Sequence, residues 1–71
     1  MNTQQALEQS DHVERAQKGS SVATKYINYF ERGKVFPFYD QHNPAGKFMA
    51  KIIHASEGQP GEFNFYLKRI I

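Results

Sequence analysis

The 71 residues include no cysteine and no tryptophan, and only three prolines and five glycines. Without cysteine, neither a disulfide nor a thiolate metal site can form. No apolar run approaches the ~20 residues of a membrane-spanning helix. The opening residues Met1-Asn2-Thr3-Gln4-Gln5 carry neither the basic nor the apolar segment of a secretion signal. The resulting expectation is a soluble cytoplasmic protein with no membrane partner. The glycines stand singly, so no phosphate-cradling loop is present. Ser10, Ser20, Ser21 and Ser56 lie outside any nucleophile-elbow pattern. His12, His42 and His54 stand 30 and 12 residues apart, with no short metal-binding spacing. Asp40 near His42 offers an acid–base pair, but aspartate beside a turn more often bonds its own backbone. The chain therefore reads as a non-enzyme with no metal and no cofactor.

A domain of this size buries only about 60% of the surface its unfolded chain exposes, so its core is thin. Small scaffolds compensate with disulfides, metals or partner subunits. With the first two unavailable, a homodimer or higher homo-oligomer is expected. Formal net charge is +2, unevenly spread. Residues 1–14 hold Glu8, Asp11 and Glu14 without Lys or Arg, a charge of −3. Residues 15–71 hold all nine Lys and Arg against four acids, a charge of +5. An acidic leader on a basic body favours a polyanionic partner, with the leader lying over the basic face until the ligand displaces it.

The abundant features are strand signals. Lys47 to Ala55 and Glu62 to Ile71 both alternate, around the turn-forming loop Ser56-Glu57-Gly58-Gln59-Pro60-Gly61. Successive strand side chains point to opposite faces. That sets Phe63, Phe65, Leu67 and Ile71 on one face of the second strand, and Asn64, Tyr66 and Lys68 on the other. In the first strand Phe48, Ala50, Ile52 and then His54 share a face. Lys47, Met49, Lys51 and Ile53 share the opposite one. Residues 34–40 form a further strand, and Pro37, lacking an N–H, puts it at an edge or on a bulge. Asn43-Pro44-Ala45-Gly46 is a strong turn signal.

Residues 1–19 are polar and helix-prone, with Asp11 and Glu14 in capping-box spacing, and read as a partly helical or mobile arm. Residues 20–33 admit two readings. Val22, Thr24, Tyr26, Asn28 and Phe30 alternate as a half-buried strand, with Glu31-Arg32-Gly33-Lys34 as a hairpin loop. Alternatively, Ser20-Ser21 caps a helix that Gly33 ends. The strand reading gives a mainly β fold: an antiparallel meander of three to four strands, curling into a small open barrel, in a single domain over 20–71. The helix reading gives α+β, with residues 20–32 packed on a three-stranded sheet.

Six Phe and four Tyr are more rings than a core this small can hide. Exposed rings interleaved with Lys and Arg suit single-stranded nucleic acid, because bases stack on rings and cations neutralise phosphates. The candidate contact residues are Lys25, Tyr29, Lys34, Tyr39, Lys47, Lys51, Tyr66, Lys68 and Arg69. The same rings also suit the apolar centre of a protein interface.

The run Lys34-Val35-Phe36-Pro37-Phe38, then Pro44-Ala45-Gly46-Lys47-Phe48, then Gly58-Gln59-Pro60-Gly61 leading into Phe63-Asn64-Phe65-Tyr66-Leu67-Lys68-Arg69, resembles the C-terminal half of the small single-stranded-DNA-binding proteins of filamentous phages. The resemblance implies a dimeric five-stranded oligonucleotide-binding barrel, with strand contacts from Lys34, Lys47, Tyr66, Lys68 and Arg69. Residues 1–19 depart from it, standing where that family begins with a strand. Two functions are thus expected to compete. One is a single-stranded nucleic-acid binder of phage or mobile-element type. The other is a small inhibitor or adaptor that docks on a host protein through exposed aromatics or an edge strand.

Overall fold

A computed structural model describes residues 1–39 and 46–70. The elements run α1 (Thr3–Gln9), β1 (His12–Gln17), α2 (Ser21–Arg32), β2 (Val35–Tyr39), β3 (Lys47–Glu57) and β4 (Glu62–Arg69). The four strands make one antiparallel sheet in the order β1-β4-β3-β2. The fold is mainly β, as expected. The sheet curls into a half-barrel. Its curl is deep enough to bring His12 on one edge strand against Phe38 on the other, their rings 4.7 Å apart.

The meander β2-β3-β4 follows the sequence signals. Pro37 sits on an edge strand, where its missing N–H leaves no gap in the ladder. Phe63, Phe65 and Leu67 share the face turned toward α2, with Phe65 and Leu67 fully buried. Ile71, Asp40 and His42 lie outside the described residues, as does most of the turn at 43–46.

Within residues 20–33, Ser21–Arg32 form helix α2, which overturns the strand and hairpin-loop reading of this stretch. Ser20 accepts a hydrogen bond from the Ala23 N–H at 3.1 Å and closes the first turn. At the other end Gly33 takes φ +61°, a left-handed cap that an L side chain resists, and its N–H bonds the last carbonyls. Between the caps, Ala23, Tyr26 and Ile27 form an apolar stripe at i, i+3 and i+4 spacing. Tyr26 sets its ring 5.4 Å from Phe65 and 5.8 Å from Phe36. Thr24, Lys25 and Asn28 stay in water. A curled sheet with one dry face needs a cover, and this stripe supplies it; packing outweighs the β-propensity of Tyr, Ile and Val here.

The fourth strand is β1, in the stretch expected to be a helical or mobile arm. Its sequence, His12-Val13-Glu14-Arg15-Ala16-Gln17, is mostly polar, and only Ala16 is buried. It forms because the free edge of β4 offers it a ladder from His12↔Leu67 to Gln17↔Glu62. Asp11 clamps one end of this ladder: its N–H donates to the Leu67 carbonyl, and its carboxylate accepts from the Arg69 N–H at 2.6 Å. Lys18 pairs with Glu57 at the other end. The capping box lies elsewhere than expected. Asn2 and Gln5, not Asp11 and Glu14, exchange the two hydrogen bonds that open α1.

Candidate nucleic-acid interface

Directly paired residues of antiparallel strands share a face. The register therefore sorts the side chains. Facing α2 are Phe36 and Phe38 of β2, Phe48, Ala50 and Ile52 of β3, and Phe63, Phe65, Leu67 and Arg69 of β4. Facing away are Val35, Pro37 and Tyr39 of β2, Lys47, Met49 and Lys51 of β3, and Lys68 of β4.

This second set forms an open patch at the β2 side of the sheet. Tyr39 is 63% exposed and Val35 39% exposed. Tyr39 pairs across the strands with Lys47, whose ammonium sits 5.3 Å from the ring centroid. Val35 pairs with Lys51, and Lys51 with Lys68. Two lysines directly opposite each other repel, which costs the sheet a few tenths of a kcal/mol. Among the described residues, Lys47, Lys51 and Lys68 have no ion-pair partner; the pairs present are His12–Glu14 and Lys18–Glu57. Glu62 is on the same face of β4 as Lys68 but six residues away, roughly 20 Å along the strand. Asp11 is the acid nearest Lys68, but its carboxylate accepts from the Arg69 N–H and makes no ion pair with a patch lysine among the described residues. The patch is thus apolar and basic, with Asp11 at its β1 margin.

The nine candidate residues do not make one surface. Tyr39, Lys47, Lys51 and Lys68 come together on the open patch. Tyr66 is on the same face of β4 but is only 3% exposed, which corrects its expected place at the surface. The remaining four belong to the other side of the sheet or its margin. Lys25 leans over Tyr26 at 5.5 Å, and Lys34 over Tyr29 at 5.1 Å. Tyr29 is half-buried against Phe36, with centroids 4.7 Å apart. Arg69 pairs with Ala50 and lies 5.9 Å from the Phe48 ring, on the α2 side. Met49 belongs to the patch, on the face where alternation set it beside Lys47 and Lys51; Val35 and Pro37 belong to it too although they were not among the expected contacts, and their alternation on β2 with Tyr39 was the available signal.

His54 is also displaced from its expected face. The ladder jumps from Ile52↔Leu67 to His54↔Tyr66, so Ile53 is an inserted bulge residue. One extra residue inverts the alternation beyond it. His54 thereby leaves the face of Phe48, Ala50 and Ile52 and stacks beside Tyr66, with ring centroids 5.4 Å apart. The Tyr66 hydroxyl is hydrogen-bonded to Ser56 at 3.3 Å. On the α2 side, burial pushes the Tyr26 phenol above its usual range, with Glu14 and then Tyr29 adding to the shift.

Among the described residues no three His, Asp or Glu side chains are grouped to hold a metal ion. No described helix is long and apolar enough to cross a membrane. Comparison with protein-family models, curated proteins and solved structures gave no match.

Proposed function

We propose that the protein binds single-stranded nucleic acid on the open patch of its sheet. Tyr39 is the stacking ring, and Lys47, Lys51 and Lys68 are the phosphate contacts. The observation that carries the reading is the Lys51–Lys68 cross-strand pair, with Lys47 nearby on the same face and none of the three in an ion pair among the described residues. A polyanion relieves the repulsion that the fold otherwise tolerates. The ring of Tyr39 adds a surface on which any base can rest, a contact worth about 1–3 kcal/mol. The resemblance over residues 34–69 falls on β2, β3 and β4, the strands that build this patch.

Fluorescence anisotropy with labelled oligothymidine, titrated at several salt concentrations, tests the proposal. Three neutralised phosphates predict a log–log slope of about −2 for a single strand. A flat response rejects phosphate contact. It would leave the second reading, an inhibitor or adaptor that docks on a host protein, which the exposure of Val35 and Tyr39 on edge strand β2 favours.

A further inference from the structure

We infer that the binding face has a second half, hidden beneath α1, and that a bound strand displaces this helix to reach it. The inference rests on the reading of the open patch just given. Tyr66 is two residues from Lys68 on the same face of β4, about 7 Å further along the strand. Its ring and that of His54 form an aromatic pair continuous with the patch. Both lie where α1 crosses β3 and β4, with Thr3 Oγ1 3.3 Å from His54 Nε2. Ala6 and Tyr66 are both buried, yet neither belongs to the main core beneath α2. Both are buried on the opposite side of the sheet, where α1 meets β3 and β4.

The cover is loosely held. Of the seven residues of α1, only Ala6 is buried; Leu7 is more than half exposed. The helix carries its own N-terminal capping box, and an isolated helix this short is marginal in water. The strand that follows is anchored independently by Asp11, so α1 can leave without unzipping β1. The cover is also not electrostatic: among the described residues Glu8 has no ion-pair partner, and α1 shields an aromatic pair, not the lysines. Release would expose Tyr66 as a second stacking ring, with His54 beside it. Arg15, exposed and two residues from the Val13 that pairs with Tyr66, would supply a further cation.

The probe is labelled oligothymidine of about twelve nucleotides, within the length one small β-domain covers. Affinity is measured by anisotropy for the full chain, for a chain lacking residues 1–9, and for full-length Ala6→Glu, which undocks α1. Amide hydrogen exchange of residues 3–9 is followed in the intact chain with and without the oligonucleotide. The expected results are binding at least about fivefold tighter by both variants, the low end of one stacking contact, and faster exchange in α1 when the strand binds. Adding Tyr66→Leu to the truncated chain should remove the gain. If the intact chain binds but the variants bind no tighter and α1 exchange is unchanged or slower, the hidden half is refuted and the open patch stands. If no form binds, both fall. Should the truncated chain be unfolded, the exchange experiment on the intact protein decides alone.

Discussion

Phe65→Ala is expected to remove about 3–5 kcal/mol of folding stability, the cost of deleting a fully buried phenylalanine. A chain of 71 residues has roughly 4–10 kcal/mol in total, from the usual 0.05–0.15 kcal/mol per residue. The variant should therefore be largely unfolded near 37 °C, as followed by circular dichroism in urea. The size of the effect comes from position. Phe65 is fully buried on a central strand, with Tyr26 edge-on at 5.4 Å and Phe63 at 6.0 Å. It joins the buried face of α2 to the sheet through Tyr26. With no disulfide to hold the chain, little else offsets its loss. A loss under about 1 kcal/mol would mean that the core beneath α2 is not what holds the sheet curled.

Lys51→Glu is expected to do the opposite to stability while harming binding. It places an acid opposite Lys68, turning a repulsive cross-strand pair into an attractive one. The fold should gain about 0.2–1 kcal/mol. Affinity for oligothymidine should fall by at least about tenfold at low salt, because a phosphate contact is lost and a like charge faces the strand. The double variant Lys51→Glu, Lys68→Glu leaves one lysine, and its salt slope should flatten to about −0.7. Lys25→Glu is the control. Lys25 leans on Tyr26, on the far side of the sheet. Its reversal should change affinity by no more than about twofold, the residual effect of screened charge at a distance. Equal losses from Lys25→Glu and Lys51→Glu would place the binding site elsewhere.

The sequence declared the fold where one physical signal acted alone. The alternation of Phe63, Phe65 and Leu67 named the dry face of β4, and Pro37 named the edge strand. Where two signals competed, it did not. Tyr26, Ile27 and Tyr29 satisfy a strand and a helix equally well; Ser20 and Gly33 decide the matter only once the sheet needs a cover. Strand β1 has a single buried residue, Ala16, and exists because of its partner strand, which local sequence does not disclose. The candidate site divided in the same way. Tyr39, Lys47, Lys51 and Lys68 follow from simple alternation and share a face. Tyr66 had the right alternation but is roofed by α1, and a roof is a tertiary contact. His54 was misplaced by the bulge at Ile53, an isoleucine in a run of good strand formers with no glycine to mark the irregularity.

The proposed function requires that one particular face of this sheet meet a nucleic-acid strand. Backbone amide chemical-shift mapping, with oligothymidine titrated into isotope-labelled protein, addresses it residue by residue. The largest perturbations are expected at Val35, Tyr39, Lys47, Met49, Lys51 and Lys68, extending to Tyr66 and α1 with longer strands, while Ala23 and Lys25 of α2 stay in place. Perturbations centred on α2 would place the strand on the other side of the sheet, and a spectrum unmoved at saturating oligonucleotide and low salt would rule out binding.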